Sequence, residues 1–332
     1  MNKTNIPLSV LDLAVITEGH TPADAFKNSL SLARKTEELG YKRFWLAEHH
    51  NMESVASSAT SVLIGYIAGG TSTIRVGSGG IMLPNHAPLI VAEQFGTLAS
   101  LYPGRIDLGL GRAPGTDQLT AMALRRDAFS AANDFPNQVN ELHTYFSPQN
   151  RTAKVRAIPG EGLDIPIWIL GSSTDSAYLA AAHGLPYAFA SHFAPTQLMN
   201  ALKIYRDHFR PSVHLERPYS MACVNIVAAS TDEEASYLAS SFYQMFVGMV
   251  RNQRRPLPPP VKNMDAIWTE YEKATIAQML SCSFAGSKET INTQVNEFIA
   301  DTGVDELMVV AHIYDHNARL RSYEIIKEAL FF

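Results

Sequence analysis

Residues 43–50 read Arg-Phe-Trp-Leu-Ala-Glu-His-His, a short apolar run that ends on three ionisable side chains. In an α/β barrel, the side chains that carry chemistry lie at the carboxyl ends of the strands. Three further apolar runs end on glycine-rich stretches, namely Gly-Ser-Gly-Gly at 77–80, Gly-Leu-Gly-Arg at 109–112 and Gly-Ser-Ser at 171–173. These four endings predict one site that several βα loops build together.

Apolar strand patterns alternate with helical patterns along the chain. Near-continuous apolar strands between helices indicate a parallel sheet that is covered on both faces. Eight such units favour a closed (β/α)8 TIM barrel over an open doubly wound sheet, and we expect one barrel domain over residues 1–332. The predicted strands are 6–15, 43–47, 74–82, 105–110, 165–170, 187–192, 221–229 and 306–312.

Composition argues against several classes of protein. The net charge is −5 and no long basic stretch occurs, so nucleic-acid binding has little support. The two cysteines, Cys223 and Cys282, are not spaced as metal ligands and suit a reducing compartment. No apolar run has the length of a signal peptide or a membrane span. We therefore expect a cytoplasmic protein without a membrane partner.

The segment 251–287 breaks the strand–helix rhythm. It contains Arg-Arg-Pro-Leu-Pro-Pro-Pro at 254–260, followed by weak helical patterning. Long insertions in βα loops commonly act as lids. Since this insertion follows the seventh strand, we expect a mobile lid over the carboxyl mouth of the barrel. The alternative is a surface excursion that packs on the barrel wall.

The triplet Glu48-His49-His50 offers the first candidate for chemistry. Side chains alternate along an extended chain, so Glu48 and His50 are predicted to point one way and His49 the other. The pKa of histidine lies near neutrality, which suits a proton carrier facing the barrel axis. A metal site is a second interpretation, and a structural histidine beside a buried ion pair is a third.

Glycines and an arginine at two other strand ends suggest a ligand slot. Gly79 and Gly80 lie inside an apolar strand, where glycine indicates a bulge, a close backbone approach to a ligand, or a tight barrel corner. The run 109–115 falls short of the dinucleotide-binding fingerprint. Its Arg112 instead offers a positive fork for a phosphate group.

Hydroxyls follow the fifth strand where a helix begins. The N–H groups at a helix start attract anions, and Ser172, Ser173 and Ser176 add donors, although an ordinary helix cap would look similar. Because the fourth and fifth strands are neighbours in a barrel, Arg112 and these serines could hold one phosphate. His192 and His312 end the sixth and eighth strands, and His192 could hydrogen-bond a ring system.

The ordered set of motifs resembles the bacterial luciferase-like flavin-dependent monooxygenases, especially their single-chain branch of unknown substrate. It runs from Trp-Leu-Ala-Glu-His-His at 45–50, through Arg-Val-Gly-Ser-Gly-Gly at 75–80 and Pro-Gly-Arg-Ile-Asp-Leu-Gly-Leu-Gly-Arg at 103–112, to Trp-Ile-Leu-Gly-Ser-Ser at 168–173. The resemblance implies a (β/α)8 barrel that uses reduced FMN and O2, through a flavin C4a-peroxide, to oxygenate a small organic substrate. It also implies a separate NAD(P)H-dependent flavin reductase.

The resemblance assigns roles to individual residues. His49 matches a proton shuttle beside the flavin. Gly79-Gly80 matches a bulge with a cis peptide bond next to the isoalloxazine, and His192 is placed with the cofactor. Arg112, Ser172, Ser173 and Ser176 match the FMN phosphate cradle, and no metal is implied.

Other implications concern substrate, assembly and alternative functions. Gly111 stands where true luciferases carry a reactive cysteine and Ser172 where they carry a glutamate, which argues against light emission. Family members often form homodimers through the helices that correspond here to 58–69 and 88–102. Remaining alternatives are an F420-dependent oxidoreductase, a metal-dependent hydrolase and a non-catalytic flavin-binding protein.

Overall fold

Ten strands and eleven helices lie in the part of the chain that the computed structural model describes, residues 6–125 and 133–331. The strands are β1 Leu8–Asp12, β2 Arg43–Leu46, β3 Arg75–Ser78, β4 Ile81–Met82, β5 Ile106–Gly111, β6 Ile167–Gly171, β7 Tyr187–Phe189, β8 Ser220–Ala228, β9 Ser283–Gly286 and β10 Glu306–Val310. The helices are α1 Pro22–Glu38, α2 Thr60–Gly69, α3 Pro88–Leu101, α4 Gln118–Leu124, α5 Phe135–Phe146, α6 Thr174–His183, α7 Leu198–His208, α8 Asp232–Val250, α9 Glu270–Met279, α10 Lys288–Thr302 and α11 His316–Phe331.

The strands close into a parallel barrel. Its order is β1-β2-β3-β5-β6-β7-β8-β10, and β10 pairs with both β8 and β1. The predicted eight-stranded α/β barrel is therefore confirmed. The sequence also predicts helical stretches near 117–147. The centre of that region lies outside the described residues, and α4 and α5 flank it.

Local sequence signals account for several element boundaries. Thr21 caps α1, because its hydroxyl accepts the Asp24 N–H at 3.3 Å while the Asp24 carboxylate accepts the Thr21 N–H at 3.0 Å. Pro22 occupies the first helical position. The helix ends before Gly40, whose φ of +72° suits glycine.

The third barrel strand is interrupted, whereas the sequence predicts one strand over 74–82. Gly77 lies opposite Asp107 and Ile81 lies opposite Leu110, so four steps along this strand match three steps along β5. One extra residue is therefore accommodated as a bulge between β3 and β4. The Gly79–Gly80 peptide bond within the bulge is cis.

Alternate side chains of the strands fill the barrel. We call this set the inner cluster, and it consists of Leu11, Trp45, Ala47, Trp168, Ala188, Met221, Cys223, Met308 and Val310. The side chains on the opposite strand faces pack under the surrounding helices in a separate, larger core. The interior of the barrel is thus a packed core, and it divides an amino-end opening from a carboxyl-end mouth.

Buried charges close the amino end of the barrel. Arg43 bonds Asp107 at 2.7 Å and Glu306 at 3.0 Å, and Arg75 adds a second bond to Asp107 at 2.6 Å. Trp45 Nε1 also donates to Asp107, at 3.1 Å. Both carboxylates are fully buried, so their partners are needed to offset the cost of desolvation.

Residues 251–287, which we call the lid segment, contain more regular structure than the sequence predicts. They include α9 and the strand β9, which pairs with β8 from Asn225 to Ala228. The first half of β8 pairs instead with β10. The sequence analysis also missed α10, which connects the lid segment to β10. Among the helices described, none is both long and apolar enough to span a bilayer.

Replacing the central arginine of the amino-end network should destabilise the fold. We expect Arg43→Met to lower the free energy of unfolding by about 3–5 kcal/mol, because two buried carboxylates lose a partner. The matched control is Lys203→Met, which removes an exposed ion pair to Asp207 and should cost at most about 1 kcal/mol. Urea unfolding measures both values, and equal losses would contradict this account of the network.

Candidate active site

The carboxyl mouth of the barrel is lined by the next layer of side chains above the inner cluster. Because side chains alternate, the residues two positions beyond Ala47, Cys223 and Val310 face the barrel axis again. These residues are His49, Asn225 and His312. Two histidines and an amide therefore meet at the end where α/β barrels place their chemistry.

His49 keeps one ring nitrogen free for chemistry. Its Nδ1 lies 3.2 Å from the carbonyl oxygen of Gly115, which can only accept, so Nδ1 carries the proton and Nε2 keeps its lone pair. Burial lowers the pKa of His49, and the nearby charge of Arg254 lowers it further, against an opposing effect of the Gly115 carbonyl. The ring is thus a neutral proton acceptor.

Glu48 and His50 point away from His49, as alternation predicts. Glu48 Oε1 lies 2.9 Å from His50 Nε2 and 2.9 Å from His86 Nε2, and Glu48 Oε2 accepts the Met82 N–H at 3.1 Å. Burial would raise the pKa of Glu48, but the bonds from His50 and His86 outweigh it and lower that pKa to about 2. Glu48 is therefore an internal anchor that holds the loop carrying His49.

A metal centre has no support in the part of the chain that the structure describes. Within residues 6–125 and 133–331, no group of three or more His, Cys, Asp or Glu side chains could hold a metal ion. Glu48 and His50 are bonded to each other instead, and His49 faces a different way.

The glycine bulge is closely packed against its neighbours in the barrel wall. A Cβ on Gly79 would lie 2.7 Å from Leu11, and a Cβ on Gly80 would lie 2.3 Å from Leu170. At Gly80 a Cβ would also lie 2.7 Å from the Gly109 carbonyl oxygen, so the backbone of β5 leaves no room for a side chain there. Ser78 bridges the interruption, because its hydroxyl donates to the Gly109 carbonyl at 2.8 Å and accepts the Gly109 N–H at 3.0 Å.

Arg112 lies beside the start of α6, as the barrel order predicts. Leu110 pairs with Ile169, which brings the chain beyond β5 next to the chain beyond β6. Arg112 Nη2 lies 3.1 Å from Asp175 Oδ2 in the first turn of α6, and both side chains are exposed. Ser173 is the N-cap residue but makes no side-chain capping bond. A positive fork and a free hydroxyl thus flank a helix start, which suits an anion.

Ser176 differs from the other predicted phosphate donors. Its hydroxyl donates to the Ser173 carbonyl at 2.7 Å and accepts a hydrogen bond from the Tyr187 hydroxyl at 3.0 Å. The side chain of Ser176 lies over Gly171, where a Cβ would come within 2.0 Å of Ser176 Oγ. In this arrangement Ser176 shapes the start of α6, whereas Ser172 and Ser173 are better placed to meet a ligand.

His192, Asn225 and His312 share one side of the mouth. Asn225 Nδ2 donates to the His192 carbonyl at 2.6 Å, and the His312 ring stacks on Phe242 of α8 at a centroid distance of 5.6 Å. Burial lowers the pKa of His192 to about 3, with further effects from His312 and His49. Asn225 was not predicted as a site residue, although it is the one polar residue inside the apolar run 221–229.

The lid segment contacts the loops of the carboxyl mouth. Leu257 is buried and bonds through its backbone to Ile16 at 2.9 Å and Glu18 at 2.8 Å, both in the loop after β1. Arg254 lies 3.4 Å from the sulfur of Met52 in the loop that carries His49. A small cleft lies between the loop after β1 and the loop after β10, and its lining includes Thr17, Leu257 and His312.

Comparison with known proteins matches residues 6–306 to the family described as luciferase-like monooxygenase. The chain belongs to this family. It is 52% identical over 333 residues to a luciferase-like monooxygenase of Escherichia coli K12, with 99% of each chain covered. It is 33% identical over 333 residues to an N-acetyl-S-alkylcysteine monooxygenase of Bacillus subtilis, with 98% of each covered.

Solved structures agree with this membership. A crystal structure of apo-MsnO8 is 35% identical, covers 98% of both chains and has a TM-score of 0.87. An F420-dependent secondary alcohol dehydrogenase shares the fold alone, at 13% identity and a TM-score of 0.71, with 99% and 100% of the two chains covered. The family of luciferase-like monooxygenases consists of oxidoreductases, and the fold itself does not choose between flavin cofactors.

Removing the charge of Glu48 should change the acid stability of the protein. The lowered pKa stabilises the fold above about pH 4.5, and this contribution is lost as the pH falls towards 2. We expect Glu48→Gln to be less stable than the wild type by up to about 3 kcal/mol near pH 6. Unfolding at a series of pH values should show this difference shrinking towards pH 2.

The control for this measurement is Asp301→Asn, which changes an exposed carboxylate on α10. Its difference from the wild type should be small at every pH. A Glu48→Gln difference that does not vary with pH would show that the carboxylate charge does not anchor the loop.

Proposed function

We propose that this protein is a monooxygenase that uses reduced FMN and O2 to oxygenate a small organic substrate. The observation that carries the proposal is the neutral His49 ring, which faces the barrel axis with Nε2 free. This ring belongs to the same mouth as the glycine bulge and the helix start beside Arg112. The family membership, and relatives whose names describe monooxygenases, support this reaction class.

The residues of the mouth fit a flavin phosphate and a flat ring. The phosphate would be held at the start of α6 by Arg112, Ser172, Ser173 and the backbone N–H groups of the helix. Arg112 would release Asp175 in order to bind the phosphate. The backbone at Gly79 and Gly80, which carries no side chain, would lie against the ring. Reduced flavin supplies the electrons that activate O2 for transfer of one oxygen atom to the substrate.

His49 provides a proton site within this arrangement. Since its Nδ1–H is held by the Gly115 carbonyl, Nε2 can accept a proton and return it without rotation of the ring. Burial lowers the pKa of His49, so the ring stays neutral at lower pH than an exposed histidine. A neutral ring at working pH is the form that can take up a proton.

The lid segment would exclude water from the mouth. Its contacts to the loops after β1 and β2, through Leu257 and Arg254, support this role. Closing a site in this way protects a reactive species from hydrolysis. The mobility predicted for this segment is part of the proposal.

The proposal includes two partners. A separate NAD(P)H-dependent reductase would supply the reduced flavin, so the purified chain should not consume NADPH by itself. A homodimer would form through α2 and α3, which expose Val62, Tyr66, Ile90 and Leu101. Sedimentation equilibrium tests the dimer, and a monomer at micromolar concentration would contradict it.

The decisive experiment is anaerobic titration with reduced FMN, followed by rapid mixing with O2 and recording of the absorbance spectrum. We expect binding and an oxygenated absorbing species that outlives free reduced flavin in air. Binding with immediate reoxidation would favour a dehydrogenase or a flavin-binding protein. Binding of F420 in place of FMN would favour the F420-dependent alternative.

His49→Ala should separate cofactor binding from oxygen transfer. We expect reduced FMN to bind this variant normally, while substrate oxygenation falls by about 10²–10⁴-fold because the proton site is lost. His214→Ala, at the opposite end of the barrel, is the matched control and should keep full activity. Turnover that is unchanged in His49→Ala would exclude the assigned role.

Arg112→Gln should weaken FMN binding and leave riboflavin binding unchanged, because riboflavin lacks the phosphate. Loss of a charged hydrogen-bond partner costs about 1.5–3 kcal/mol, which raises the Kd for FMN by about 10–100-fold. Flavin fluorescence quenching measures both ligands. Arg156→Gln removes another exposed arginine, paired with Glu161, and should affect neither Kd. Equal weakening of FMN and riboflavin would place the phosphate elsewhere.

A further inference from the structure

Three side chains at the mouth carry buried polar atoms that have no hydrogen-bond partner. These atoms are Nδ1 of His192, Oδ1 of Asn225 and Nδ1 of His312. His192 and His312 follow β7 and β10, and Asn225 lies in β8, which stands between those two strands in the barrel wall. An unpaired buried polar group costs about 1–3 kcal/mol, so three of them in one layer indicate a place where a ligand supplies the partners.

Neighbouring contacts hold these groups in place. Asn225 Nδ2 donates both to the His192 carbonyl at 2.6 Å and to Ser283 Oγ at 2.8 Å, which leaves Oδ1 as an open acceptor. Asn225 is 3% exposed and His312 is 6% exposed. The His312 ring is stacked on Phe242 with an angle of 21° between the planes. The arrangement is therefore pre-organised for a ligand of matching shape.

The chemistry of this layer is uncharged. Burial lowers the pKa values of His192 and His312 to about 3, so both rings are neutral at physiological pH. A neutral imidazole offers one N–H donor and one acceptor, and Asn225 Oδ1 offers an acceptor. The nearby cation Arg319 is already paired with Asp12 at 2.8 Å, so it is not available to a ligand carboxylate.

We propose that His192, Asn225 and His312 bind an uncharged substrate group that both donates and accepts hydrogen bonds, of which a secondary amide is the representative. The amide N–H would be accepted by Asn225 Oδ1, and its carbonyl oxygen would accept a ring N–H. This inference rests on the proposed function and names the substrate class of the same site. An aliphatic aldehyde has no hydrogen-bond donor, so it would leave Asn225 Oδ1 unpaired.

Three probes of nearly equal shape separate the possibilities. N-benzylacetamide has a donor and an acceptor, 4-phenyl-2-butanone has the acceptor alone, and 3-phenylpropanoate carries a negative charge. Calorimetric titration of the full chain, with and without FMN, measures each Kd. We expect the amide to bind about tenfold more tightly than the ketone, and the carboxylate to bind more weakly than the amide. Equal affinities, or tighter binding of the carboxylate, would overturn the proposal.

Two variants assign the preference to this layer. His312→Phe keeps a ring that can stack on Phe242 but removes both nitrogens, and it should abolish most of the preference for amide over ketone. His192→Phe makes the same change in the loop after β7. It replaces His312→Phe in this test if near-ultraviolet circular dichroism shows that His312→Phe does not fold. The control His214→Phe, on an exposed loop before β8, should keep the full preference.

The outcome is independent of the oxygen chemistry. A preference for the amide that survives in both His312→Phe and His192→Phe would overturn the assignment of these residues. Amide binding in a protein that forms no long-lived oxygenated species would support this site and contradict the monooxygenase. A long-lived oxygenated species without amide preference would support the monooxygenase and contradict this site.

Discussion

The geometry of the mouth depends on one extra residue in the third barrel strand. Because the chain advances four residues between Gly77 and Ile81 while β5 advances three, the two strands cannot pair continuously. Ser78 supplies the missing hydrogen bonds to Gly109. The strand then resumes in a new register, in which the Met82 N–H reaches Glu48. Glu48 also bonds His50 in the loop that carries His49, so the register set by the bulge is linked to the position of that loop.

The two ends of the barrel use polar groups in opposite ways. At the amino end, Arg43 joins two buried carboxylates, and each charge has a partner. At the carboxyl end, His192 and His312 are neutral, and each keeps an unpaired ring nitrogen. Satisfied charges add to stability, whereas unsatisfied polar atoms weaken the fold until a ligand binds.

Much of the fold and part of the site were predictable. The apolar runs and the Thr21 cap are local signals, and they located the eight barrel strands and the first helix. The alternation after residue 47 separated His49 from Glu48 and His50. In contrast, β9 and α10 were missed, because the pairing of Ser283–Gly286 with β8 is a long-range contact without a strong local pattern. Ser176 was predicted as a phosphate donor, yet its hydroxyl is bonded to the Ser173 carbonyl and Tyr187.

The sequence by itself determined the barrel and the ends of the strands that carry polar residues, since hydrophobic periodicity is a property of neighbours along the chain. It also predicted that Arg112 lies beside the start of α6, because strands that follow one another along the chain are neighbours in this kind of barrel. Only the tertiary structure decided which atoms remain free. The Gly115 carbonyl that sets the His49 tautomer and the Asn225 amide beside His192 come from distant parts of the chain. A hydrogen bond between distant residues depends on register and packing, and those are settled only when the barrel closes.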